Sequence, residues 1–161
     1  MIDIINKIIK NLRFLMIILI VIGVSCSKKS ILSNDEKEIV ESEIHEFMDS
    51  LMVAFNSVSA DNVYKYFLQT DEFVAATQGQ LIDNIDAVRD TMKMHLAAMK
   101  KQDNIPVNDK IFVITKDAAV ISTSKIGKIT FKSGAEVSVP YALTILLVKR
   151  NGQWKIAHYH N

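Results

Sequence analysis

The sequence predicts an α+β fold, with three helices in the first half packed on one face of a curved antiparallel sheet built from the second half. Three observations carry this. Apolar residues between Val40 and Met99 recur at helical spacing, from Ile105 onward the period falls to two with β-branched residues dominant, and Lys116-Asp117, Lys132-Ser133-Gly134 and Asn151-Gly152 punctuate that second half with turns. Helices that precede strands, rather than alternate with them, favour α+β over α/β.

The first segment is not part of that domain. A basic start with Lys7, Lys10 and Arg13 leads into the apolar run Leu15 to Val24, and the only cysteine, Cys26, follows directly. Counted from Phe14, the run supplies about half of the roughly 20 apolar residues that span a bilayer, whereas it matches the apolar region of an export signal. Gly23-Val24-Ser25-Cys26 resembles a bacterial lipobox, although the usual preceding leucine is missing. The resemblance implies lipidation of Cys26 and removal of residues 1–25. Residues 26–34 then form a polar tether and residues 35–161 the folded domain. Ser27 is not a retention aspartate, which favours an outer membrane where the cell has one.

Removal of residues 1–25 takes three of 19 Lys+Arg and one of 18 Asp+Glu, leaving 16 against 17. A nearly neutral chain without a basic stripe lacks the footprint of a nucleic-acid binder. With its one cysteine committed to lipid, the chain has no disulfide and no cysteine-based zinc or redox motif. Stability must come from a core, and a single domain of this length buries roughly two-thirds of its unfolded surface.

Each element has a local reason. Ser33 and Glu36 have capping-box spacing, and Val40, Ile44, Phe47, Met48, Leu51 and Phe55 share one face, predicting a helix from about Asp35 to Ser57. Ser59-Ala60-Asp61-Asn62 restarts a helix whose body is Val63, Tyr64, Tyr66 and Phe67. Phe73 to Thr77 reads as a brief strand closed by Gln78-Gly79. Asp83 or Asn84 caps a third helix that presents Ile85, Val88, Met92, Leu96 and Met99. Strands follow over Ile111 to Ile114, Ala118 to Ile129, Val137 to Val148 and Trp154 to His160. Asn151-Gly152 is the strongest hairpin signal among the turns.

A two-residue turn at Asn151-Gly152 sets Lys149 opposite Trp154, Leu147 opposite Ile156, Ile145 opposite His158 and Leu143 opposite His160. Alternation then places Val137, Val139, Tyr141, Leu143, Ile145, Leu147, Trp154, Ile156, His158 and His160 on the helix-facing side. The opposite side, with Ala142, Thr144, Leu146, Val148 and Ala157, is apolar for a surface exposed to solvent.

This order of elements, with Asp71-Glu72-Phe73-Val74 leading to Gly79 and the closing run Gly152-Gln153-Trp154-Lys155-Ile156-Ala157-His158-Tyr159-His160, resembles the nuclear transport factor 2-like superfamily, and within it the SnoaL-like branch. The resemblance implies a cone-shaped fold with a pocket at its open end and a tendency to dimerise through the outer sheet face. Members include isomerases, dehydratases and cyclases, and also binding and assembly domains without chemistry. In the active members a pocket carboxylate or histidine moves the proton, and His158 is the position that aligns.

Three readings follow. His158 and His160 share a strand face as metal ligands do, with His95 or Asp71 as a third donor, but no second spacing motif completes the set, so no metal and no cofactor is expected. An enzyme would use His158 as general base or acid with Asp71 or Tyr64 as its partner. The favoured reading is a binding or assembly module at a membrane surface, not an enzyme. Its apolar small-molecule pocket is lined by Tyr64, Phe67, Phe73, Met92, Tyr141, Ile145 and His158, and its partner is a second copy of the chain.

Overall fold

The computed structural model describes residues 32–77 and 79–161; the export segment, Cys26 and most of the tether lie outside them. Helix α1, Asn34–Asn56, begins on the expected capping box. The Ser33 amide donates to Glu36 Oε2 at 2.8 Å and the Glu36 amide donates to Ser33 Oγ at 3.2 Å, satisfying two donors that a helix start leaves free. Val40, Ile44, Met48, Leu51 and Ala54 form its buried stripe. Helix α2, Ala60–Tyr64, is a single short turn capped by Ser59. Of the residues expected in its body, Tyr66 lies in the turn that follows the helix and Phe67 forms a lone parallel bridge to Ile156. The Ile156 amide donates to Tyr66 O at 2.8 Å and the Leu68 amide to Ile156 O at 2.9 Å, stitching this segment to the last strand.

Strands β1, Val74–Thr77, and β2, Gln80–Ile82, form a small hairpin, and helix α3, Ile85–Ala97, follows with Asn84 Oδ1 accepting from the amides of Asp86 and Ala87. Ile85, Val88 and Leu96 point into the core. Met99, assigned by spacing to the face of α3, opens β3 instead. Strands β3, Met99–Thr115, β4, Ala118–Phe131, β5, Glu136–Arg150, and β6, Gln153–His160, complete one six-stranded sheet in the order β2-β1-β6-β5-β4-β3.

The sheet is mixed, not antiparallel: β1 runs parallel to β6, pairing Val74 with His158 and Ala76 with His160. The short turn at Gly79 gives β1 its antiparallel partner β2, and the other side of β1 docks along the open edge of β6. The long β3-β4-β5-β6 meander is antiparallel as expected. Asn151 and Gly152 both have positive φ, 52° and 76°, the geometry of a type I′ turn. The predicted pairs Lys149 with Trp154 and Leu147 with Ile156 form.

Beyond that point the expected register fails. Leu147 faces Ile156 but Leu146 faces His158, so Ala157 is an extra residue on β6. A bulge of this kind inverts the parity of everything after it. Tyr159, not His158, therefore pairs with Ile145 on the helix side, and His158 and His160 turn to the outer side with Leu146 and Thr144. β3 shifts register against β4 at three further places, between Met99 and Lys101, Pro106 and Asn108, and Val113 and Thr115. The core lies between α1, α3 and the inner face of the sheet, around Ile44, Leu51, Phe73, Ile121, Leu147 and Ile156.

Candidate functional site

Where the helices diverge from the inner sheet face they leave a cavity of about 380 Å³. Met48, Leu51, Met52 and Phe55 of α1, Met92 of α3 and Phe67 form one wall, and Ile129, Val139, Leu143, Ile145, Ile156 and Tyr159 form the other. Its size and apolar lining are those of a small-molecule site. A larger hollow of about 530 Å³ beside the β5-β6 turn, lined by Glu43, Lys149 and Trp154 among others, is more open to solvent and more polar. There Trp154 Nε1 donates to Glu43 Oε2 at 2.8 Å and Lys149 pairs with the same carboxylate, holding Glu43 below the usual carboxylate range, chiefly through the Lys149 hydrogen bond.

Besides Tyr159 and Asn161, four polar groups line the cavity and cluster together. Gln102 and Asn104 project from β3, Lys125 from β4 and Tyr141 from β5, with Pro106, Lys125 and Tyr141 in one row across the sheet. Tyr141 Oη donates to Asn104 Oδ1 at 2.7 Å and Gln102 Nε2 donates to the same oxygen at 3.2 Å. Asn104 passes its own donors on: its amide and Nδ2 both reach Asn56 Oδ1, at 3.2 and 3.1 Å, tying the end of α1 to the sheet. Gly127 packs against this pair: a Cβ there would stand 3.4 Å from Tyr141 Cε1 and 3.7 Å from Asn104 Oδ1, in ordinary van der Waals contact. Burial pushes the Tyr141 phenol up to about 12 and raises that of Tyr159 as well.

Lys125 is the other notable group. Its side chain is 2% exposed, and its Nζ lies 3.9 Å from Asp109 Oδ1, an ion pair without a hydrogen bond. Asp109 is anchored by the Thr123 hydroxyl, which donates to the same oxygen.

The residues expected to form the pocket divide. Phe67, Met92, Tyr141 and Ile145 line the cavity. Phe73 does not: it is wholly buried with its ring against Phe67 and Tyr159. Tyr64 stands at the end of α2, where its hydroxyl donates to Asp86 Oδ1 at 2.9 Å and Arg89 lies 4.9 Å over its ring; donation to that carboxylate raises its pKa. His158 is also outside the cavity, its Nδ1 2.9 Å from Val74 O across the β1-β6 pairing. Asp71 is exposed in the turn before β1. The structure therefore does not bring His158, Asp71 and Tyr64 together as an acid-base set. Among the described residues no three His, Cys, Asp or Glu side chains converge as metal ligands, and His95 and His160 are both exposed.

Sequence reasoning missed Gln102, Asn104, Asp109, Lys125 and Tyr159. One signal was available: Ala119, Ile121, Thr123, Lys125, Gly127 and Ile129 alternate along β4, so the parity that buries Ile121 also buries Lys125. Nothing in the sequence announced the Ala157 bulge that substitutes Tyr159 for His158.

This arrangement of a meander, an added edge strand and a helix-covered cavity coincides with a sequence match over residues 44–161 to the family model of the SnoaL-like domain. The chain belongs to that family. Its fold is that of the nuclear transport factor 2-like superfamily, as in a protein of that superfamily from Salmonella enterica, 15% identical, with a TM-score of 0.68 over 77% of this chain and 90% of that one. A candidate scytalone dehydratase from Novosphingobium aromaticivorans is similar at a TM-score of 0.71 and 12% identity, covering 80% of this chain and 86% of its own. A candidate calcium/calmodulin-dependent protein kinase II association domain from Xanthomonas campestris matches at 0.64 and 19% identity, over 73% and 83%. At these identities the likeness is one of fold alone. No functionally curated protein matches the chain in sequence.

Proposed function

We propose that the chain is a bacterial cell-envelope lipoprotein, anchored through Cys26, whose SnoaL-like domain holds a small apolar molecule without converting it. The observation that supports a binding role is the cavity itself, apolar over most of its wall with four polar groups clustered together. Tyr141, Gln102 and Asn104 there are committed to one another by hydrogen bonds, and Tyr141, with its pKa at about 12, holds its proton tightly. His158, the histidine that the family resemblance would cast in proton transfer, pairs with Leu146 on the other face of the sheet. Anchoring rests on the apolar run and the lipobox-like Gly23-Val24-Ser25-Cys26, the outer membrane being favoured by Ser27. Among the described residues no helix is long and apolar enough to cross a membrane. The near-neutral charge balance argues against nucleic acid as a partner.

The test is native mass spectrometry of the full chain extracted from its host's membranes. The expected species starts at Cys26, carries diacylglycerol and retains a non-covalent small molecule that Leu143→Trp, which fills the cavity, expels. An unprocessed N-terminus overturns the anchor, and a wild-type cavity that retains nothing overturns the ligand. Conversion of an enolisable or dehydratable compound, abolished by the same substitution, would instead establish the isomerase or dehydratase alternative.

A further inference from the structure

Lys125 sets a chemical condition on whatever occupies the cavity. An ammonium that loses water must be paired and hydrogen-bonded, or its burial is costly. It carries three N–H donors, yet its partner Asp109 stands 3.9 Å away, outside hydrogen-bond reach; no side-chain nitrogen sealed from solvent is left unpartnered among the described residues, so the ammonium meets water through the cavity it lines. Asp109 does not line the cavity and Lys125 does. The carboxylate therefore balances charge from behind, while the donors remain to be satisfied from the cavity side.

We infer that Lys125 makes the polar cluster of this cavity a receptor for the carboxylate of an apolar monocarboxylic acid, an inference that rests on the cavity being a binding site. A carboxylate supplies the missing acceptors and also a full charge opposite to the ammonium's, which a neutral carbonyl or hydroxyl does not. The Tyr141 donor and one of the two Gln102 Nε2 donors are already spent on Asn104, and of the side chains lining the cavity Lys125 is the one that carries a positive charge to read the head. The rest of the ligand meets methionine, leucine, isoleucine and phenylalanine side chains, so it must be apolar. A cationic head would face the ammonium directly and is rejected.

The probes are 1-naphthoate, 1-naphthylmethanol and 1-naphthylmethylamine, which share a ring system and differ in the head, titrated into the full chain in phosphatidylcholine nanodiscs with empty nanodiscs as blank. The acid is expected to bind roughly tenfold more tightly than the alcohol, the factor a charge-assisted bond supplies, and the amine most weakly. Lys125→Met should bring the acid down to the affinity of the alcohol, the alcohol losing less than the acid. Lys125→Met/Asp109→Asn removes the pair without an unmatched charge and should do the same, which keeps the experiment decisive if the single variant does not fold. Equal affinities for acid and alcohol in the wild type, or a preference that survives both variants, overturn the role of Lys125 while leaving the cavity as a binding site. Failure of all three probes to bind overturns both.

Discussion

At the scale of single residues, the cavity's polar cluster is governed by burial. Tyr141 is raised to about 12 by desolvation, because its anion would be removed from water while its neutral hydroxyl still donates to Asn104. The consequence for stability has a definite sign. The folded protein holds this proton more tightly than the unfolded chain, whose tyrosines titrate near 10. The contribution is therefore complete below about pH 10 and disappears as the pH rises toward 12. In chemical denaturation, the stability difference between wild type and Tyr141→Phe should shrink across that window and stay constant between pH 6 and 9. A difference that is flat to the alkaline limit would contradict the buried, hydrogen-bonded phenol.

At the scale of elements, the closing hairpin shows what a sequence discloses and where it stops. Asn151-Gly152 demands positive φ at both positions and so prescribes the turn, and the turn prescribes the pairing as far as Leu147 with Ile156. One inserted residue, Ala157, then reverses the parity, and bulges leave no signature in hydrophobic alternation because alanine suits either face. The same limit explains the site. The period of α1 and the meander were legible because each buries a continuous stripe, whereas the parallel docking of β1 is a tertiary choice between open edges and Lys125 reads as a surface residue until the face of β4 is assigned. Trp154 lies before the bulge and keeps its predicted place: it is buried, its Nε1 donates to Glu43 of α1, and Lys149 sits 4.9 Å over its ring. Trp154→Ala should cost about 3–5 kcal/mol as a large core deletion, seen as a lower denaturation midpoint with an unchanged slope. A loss within the error of the measurement would mean that the ring is not buried between α1 and the sheet.

At the scale of the whole molecule, the two sheet faces carry different demands. The inner face closes the core and the cavity, and a monomer satisfies it. The outer face presents a row formed by Phe112 of β3, Val120 of β4 and Leu146 of β5, directly opposite one another in the register, and continued by His158 of β6. Phe112 is 69% exposed and Ile114 nearby is 49% exposed. Apolar side chains contiguous across several strands, rather than scattered singly, mark an association surface, and an isologous contact between two copies would cover the row on both at once. We propose a dimer formed in this way; it would leave the cavity untouched because the cavity lies on the opposite face of the sheet. Two substitutions separate these demands. Phe112→Asp sets a charge at the exposed β3 end of the row and should convert a dimer of the detergent-extracted full chain to a monomer in native mass spectrometry, while naphthoate binding stays within about twofold, as expected for sites without shared partners. Leu143→Trp, on the inner face, should abolish binding and leave the dimer intact. A Phe112→Asp protein that remains dimeric would place the contact elsewhere, and one that loses both dimer and ligand would show that the two faces are coupled through the sheet.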